Sequence, residues 1–348
     1  MDTKLEIRKL YDSLSSQEQN ELLETLVHEK KVSDLFNTEI TEQQANKIHS
    51  CPHCKSEKII GWGSQKGKPR YKCTSCNRTF NPLTGTALSY IKKLSEFRSY
   101  IHQMDKESSL RDAAKELGIS LPTSFNWRHK ILSALEDDSS SKMHDIVEAD
   151  EAFFLISDKG SKELECEARK RGGKAKQPGT SKEQVNVLVG NNREGNKHLS
   201  VSNLGRISQA DLDRVFTNKI SKNAILCSDS NKAYTAWCNQ HEIEHKAINA
   251  SKKQYVKERV FHIQHVNNDI MQLKQWLEFK FHGVATRYLQ NYLKWNRYKH
   301  KLKNSNNSES IWIKEILKNN DTILKFKTNI IRYQTLKDEL YYPLFTLT

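Results

Sequence analysis

The sequence predicts a mixed α/β fold preceded by a cysteine-bearing module and a helical module, and three observations carry this. The second half alternates apolar, strand-like runs (146–155 and 224–227) with helical stretches, as a sheet covered by helices requires. Two Cys-x-x-Cys pairs near the start are separated by eighteen residues. Between these regions, a capped helix ends at a glycine and a second helix follows.

Composition narrows the partners. The 348 residues are 36% hydrophobic and 28% charged, and no run of 18 or more apolar residues exists. The N-terminus (MDTKLEIRKL) lacks a signal-peptide core, so the expectation is a cytoplasmic, nucleoid-associated protein with no membrane partner. A formal charge of +14 points to a polyanion, since basic surfaces bind nucleic acid by releasing its counterions. A solvated lysine-rich surface is the competing reading. Four of the seven cysteines sit in the two pairs and Cys166, Cys227 and Cys238 are scattered, which favours a metal site in a reducing compartment.

In chain order, residues 1–47 read as helical, with Leu5, Ile7, Leu10, Leu22, Leu23 and Leu26 at helical spacing. Residues 48–86 read as a zinc ribbon. Cys51, Cys54, Cys73 and Cys76 suit a tetrahedral, structural Zn²⁺ with four thiolates and no open position. A redox pair of dithiols is the alternative. Ile59, Ile60, Trp62, Tyr71 and Phe80 have strand character, and Lys66, Lys68, Arg70 and Lys72 make the hairpin basic. Lys68 and Arg70 are therefore expected at DNA.

Residues 87–138 read as a helix-turn-helix. Ser109 and Asp112 form a capping pattern, Gly118 ends the first helix, and the second begins near Leu121-Pro122. Its outer face would offer Ser124, Asn126, Arg128 and His129 to DNA, whereas a plain helical hairpin would not. An acidic, serine-rich linker at 136–141 closes this half.

Residues 142–300 carry the alternation. A strand is expected to end at Asp150, followed by a basic loop in which Arg169, Arg171 and Lys174 are candidate DNA contacts. A hairpin (184–189 with 197–201) and a helix opened by Ser208 lead to a strand ending at Asp229. A helix with Tyr234 and Trp237 follows, then long helices from Ile263, and 301–348 form a helical extension. Asn267 and Lys274 are seven residues apart, so they share a helix face. Two strand-borne carboxylates met by such a face can hold Mg²⁺ against a phosphodiester.

The segments "VEADEAFF" (147–154), "ILCSDSNKAY" (225–234) and "FHIQHVNNDIMQLKQWLEFKFHGVATRYLQNYLKW" (261–295), behind a zinc ribbon, resemble the DDE-superfamily transposases of bacterial insertion sequences. The ISXO-like group is the most similar. The resemblance implies a ribonuclease-H-like core and a catalytic set of Asp150, Asp229, Asn267 and Lys274. It implies two Mg²⁺ ions, with Asp150 bridging both, Asp229 holding one, Asn267 replacing the more usual Glu, and Lys274 on a phosphate. The implied partners are double-stranded DNA, at element ends and target, and further copies of the chain in a synaptic complex. A DNA-binding regulator without catalysis is the other reading, and Asn at the third position favours it.

Helical geometry bears on that position. Asp269 lies about 200° round from Asn267, against ~20° for Lys274, so Asp269 is expected toward solvent or DNA backbone. Glu151 should point away from Asp150, and His262 and His265 are expected as DNA or core contacts.

Overall fold

The computed structural model describes residues 3–24, 26, 40–41, 44–46, 48–65, 67–135, 142–161, 172–302 and 308–318. The expected linker at 136–141, Cys166, Arg169, Arg171 and most of the C-terminal extension lie outside the described residues.

Helix α1 (Thr3–Asp12) leaves Leu5, Ile7 and Leu10 exposed. The antiparallel strands β1 (Ile59–Gln65), β2 (Lys68–Cys73) and β3 (Thr79–Phe80) form a small ribbon. Its core is little more than Cys51, Cys73 and Phe80, with Tyr71 stacked on Phe80 at 5.6 Å between ring centroids. So small a core leaves most of the ordering to whatever joins the sulfurs.

Three helices follow: α2 (Leu94–Asp105), α3 (Leu110–Glu116) and α4 (Leu121–Ala134). The Ser109 hydroxyl accepts from the Asp112 N–H and starts α3, and Ser120 does the same for α4 through Thr123. Gly118, at φ +58°, makes the turn between them, a conformation that costs a side-chain-bearing residue more.

The larger sheet contains β4 (Ile146–Leu155), β5 (Gln184–Asn192), β6 (Lys197–Leu204), β7 (Ile225–Asp229) and β8 (Glu244–Ile248). Its order is β6-β5-β4-β7-β8. β4 is antiparallel to β5, β5 is antiparallel to β6, and β4, β7 and β8 run parallel. The expected end of a strand at Asp150 needs correction: β4 continues five residues further, because Phe153 to Leu155 remain paired with β5.

Alternation along these strands feeds two cores. Val147, Ala149, Leu188 and Leu226 face α5 (Gln209–Phe216) and α6 (Lys232–His241), where Phe216, Tyr234 and Trp237 are buried. Ser208 and Asp211 close α5 with a reciprocal capping box. Ala152, Val185, Val187 and Val189 face α7 (Gln264–Phe281) and α8 (Leu289–Leu302). That second core runs on without a break into Phe97, Tyr100, Trp127, Ile131 and Leu132 of the helical module. Helix α9 (Ser308–Lys318) joins it through Trp312, whose indole N–H donates to Asp105.

Candidate active site and metal centre

Parallel pairing of Glu148 with Cys227 sets the register of β4 on β7. Two residues further on, Asp150 stands abreast of Asp229, and the even spacing sends both carboxylates to the α7 face. Asp150 is mostly buried and accepts from the Glu151 N–H at 2.8 Å. Burial pushes its pKa up to about 6, with the Asp229 charge adding to the rise and the Lys274 ammonium opposing it. Asp229 ends its strand and accepts from the Asn231 N–H at 3.0 Å as the chain turns into α6.

Glu151 takes the opposite face, as strand alternation requires, and looks toward Tyr234 on α6. Burial, then Asp150 and Asp229, push it up to about 8. Tyr234 offsets this slightly, although neither its hydroxyl nor Glu151 Oε1 completes a hydrogen bond of regular geometry. Several acids therefore share a field, and among the described residues Lys274 opposes it at Asp150.

Helix α7 buries Val266, Ile270, Leu273, Trp276, Leu277 and Phe281 and leaves Asn267 and Lys274 exposed. The expectation for Asp269 is corrected. Its carboxylate is buried against the β5–β6 hairpin, where it pairs with Lys197 and accepts from the Asn191 side chain. The residue is turned away from Asn267 as the helix geometry demands, but the sheet, not solvent, lies on that side.

Of the candidate DNA contacts, Lys68 and Arg70 border a cleft of about 1280 Å³ between the ribbon and residues 83–96. Lys92, Lys93 and the strongly exposed Tyr90 lie on its other wall. Lys174 and Asn126 are exposed. Ser124 and Arg128 are not available, and those two assignments are corrected: both are 0% exposed. The Ser124 hydroxyl donates to the Leu110 carbonyl, and Arg128 donates to the Ser108 carbonyl at 2.6 Å. The guanidinium lies over Trp295 and Phe281, at 5.2 and 5.7 Å from the ring centroids. His129 is buried too, and desolvation holds it neutral with a pKa of about 3.

The four ribbon cysteines converge with their sulfurs within 4.8 Å of one another. Cys51 and Cys76 are 3.7 Å apart and Cys54 and Cys73 3.6 Å, while a tetrahedron with Zn–S of about 2.3 Å has edges of about 3.8 Å. These spacings are far too long for disulfides and fit one tetrahedral ion. The Cys76 and Ser75 N–H groups pull the Cys73 thiol down, while its neighbours push Cys54 up, so the four sulfurs share their charge as one cluster.

Sequence reasoning passed over Glu148, the other acid on the Asp150 face. It is 0% exposed, accepts from the backbone N–H groups of His265 and Val266, and meets the His265 and His262 rings. Both histidines thus serve the fold at this acid. Its signal lay in the spacing: Glu148 and Asp150 are two apart in a strand and must share a face. Strand β8 was also missed, because Glu244-His245-Lys246 is polar, as suits an edge strand.

Residues 142–300 match the ISXO2-like transposase domain. The uncharacterized protein in transposable element ISH50 of Halobacterium salinarum is 24% identical over 276 residues, covering 78% of this chain and 90% of that protein. Among solved structures, a pre-cleavage Mos1 transpososome aligns at 12% identity and TM-score 0.23, over 63% of this chain and 76% of that one. A Mos1 transposase paired-end complex with the left transposon end aligns at 13% and 0.22, over 63% and 77%. TM-scores this low establish no shared fold. Among the described residues, no helix is long and apolar enough to cross a membrane.

Proposed function

We propose that this chain, whose residues 142–300 match the ISXO2-like transposase domain, is the Mg²⁺-dependent nuclease and strand transferase of an insertion sequence. It binds the element's terminal inverted repeats, cuts there and joins the 3′ end to target DNA. The observation that carries the reading is Asp150 abreast of Asp229 in parallel register, with the Lys274 charge felt at the same carboxylate. The strand order β6-β5-β4-β7-β8, with its first two pairings antiparallel and the rest parallel, supports a ribonuclease-H-like core.

The residues fit the ions. A buried carboxylate pushed up to about 6 beside a second carboxylate resists ionisation until a cation is shared between them. Asp150 and Asp229 would hold Mg²⁺, and Asn267 would add a neutral carbonyl ligand. When bound, Mg²⁺ supplies Lewis-acid activation of the phosphodiester and of its departing oxygen. Lys274 opposes the charge that builds on the phosphate. The ribbon thiolates would hold one structural Zn²⁺. The ribbon–helix cleft, with Lys68, Arg70, Lys92 and Lys93, would take the DNA backbone, and the unit α3–turn–α4 would act as a helix-turn-helix. Joining two ends requires more than one copy at the synapse.

Single-turnover cleavage of terminal-repeat DNA tests the proposal. Asp150→Asn and Asp229→Asn should each abolish measurable cutting and joining in Mg²⁺ while DNA binding persists. Wild-type protein that binds the repeats without cutting would favour a regulator, to which the neutral Asn267 points. Either variant cutting at the wild-type rate would overturn the site.

A further inference from the structure

We propose that Glu148 and Lys159 are positioning residues that fix the axial register of α7 against Asp150, an inference that rests on the transposase reading of that site. Helix α7 has no capping side chain of its own at Ile263. Glu148 supplies the cap from β4: one carboxylate oxygen accepts from His265 N at 2.9 Å and Val266 N at 3.2 Å. These are first-turn amides that the helix itself leaves without acceptors. The other oxygen accepts from His265 Nδ1 at 2.7 Å.

At the far end, Lys159 donates to the carbonyls of Phe281, His282 and Gly283 at 2.9–3.0 Å. A negative group sits at the helix N-terminus and a positive one at its C-terminus, as the helix dipole favours. Both belong to the continuous stretch that also carries Asp150. Thr286 ties the same loop down by exchanging hydrogen bonds with Ser157.

The distances make this a ruler. Asp150 lies ~7 Å along β4 from Glu148. Lys274 lies nine residues beyond His265, ~13 Å along the helix, and helical side chains lean back toward the N-terminus. A lysine chain leaning back from there brings its charge to bear on Asp150. The apolar stripe of α7 holds the helix to the sheet, but hydrophobic contact is non-directional and tolerates sliding. A slip of one turn, ~5.4 Å, would carry Lys274 out of range. Hydrogen bonds at both ends forbid that slip.

A metal ion held by Glu148, His262 and His265 explains the cluster less well. The Arg193 guanidinium lies 3.8 Å from Glu148 and 3.5 Å from His262 Nε2, and it already supplies positive charge. Both carboxylate oxygens are also engaged.

The test uses full-length protein, a terminal-repeat duplex and Mg²⁺. Glu148→Leu should lower single-turnover cleavage at saturating DNA by roughly 100-fold, the scale of an ångström-level misplacement, with DNA affinity unchanged. Glu148→Gln keeps an oxygen for both amides and should recover most of that loss. Lys159→Met should lower cleavage less, and it serves as the second variant should Glu148→Leu not fold. Amide exchange at His265 and Val266 should quicken in Glu148→Leu without a matching change across β5. In a background carrying both Asn267→Ala and Lys274→Ala, Glu148→Leu should cost little more, because the α7 residues it positions are gone. Additive losses, no rescue by Gln, or unchanged exchange at those amides would overturn the positioning role. Wild-type cleavage by Asp150→Asn would instead overturn the transposase reading beneath it.

Discussion

Helices α4 and α7 look alike in sequence, each an apolar stripe beside a polar face, yet they spend their polar residues in opposite ways. Helix α7 turns Asn267 and Lys274 outward, and the Lys274 charge is felt at Asp150. Helix α4 turns Ser124, Arg128 and His129 into the protein and leaves Asn126 outside. The difference is in their neighbours. One side of α7 meets the sheet, whereas α4 is covered by α2, α3, α8 and α9, so few of its positions reach water.

The largest expected effect is on chemistry. Asn267→Ala and Lys274→Ala should each slow single-turnover cleavage by roughly 100-fold or more, as lost transition-state contacts do, with melting temperature unchanged. A drop in melting temperature of several degrees would place them in the core and dissolve the contrast with α4. Next comes Asp269→Ala, which strands Lys197 in a nearly buried site. It should destabilise by about 3–5 kcal/mol, measured by denaturant unfolding. Full stability there would restore Asp269 to the surface.

Arg128→Ala removes the guanidinium held between Trp295 and Phe281 and should cost about 2–4 kcal/mol through cavity and cation–π losses. Terminal-repeat affinity of the folded fraction should hold; a stable variant with weakened binding would return Arg128 to the DNA face. The smallest effect is at Asn126→Ala, where one exposed hydrogen-bonding group goes. Affinity should weaken by no more than about tenfold with no change in stability, read by titration at one fixed salt concentration.

Periodicity and spacing made much of this legible. The four cysteines, the turn at Gly118, the caps at Ser109 and Ser208, and the alternation of β4, β5 and β7 all follow from local rules. What escaped depended on distant partners. Helix α2 went unread, although Phe97, Tyr100, Ile101 and Met104 are among its buried residues and contribute to the main core. Asp269 could be given a direction from the helix turn, but not the Lys197 that waits there, 72 residues away. Glu148 looked like one more charge in a strand until α7 was seen to start on top of it.

The unbroken core from Trp127 and Ile131 to Leu273 and Trp295 has a consequence for how such chains diversify. A helical module and a sheet domain that share a wall cannot be exchanged between relatives like beads on a string. A transplanted α4 would bring the wrong counterpart for Phe281 and Trp295, so recombination near residue 140 is penalised unless both sides of the wall travel together. The ribbon, whose small core is a cluster separate from that wall, carries no such constraint and is the part freest to be traded.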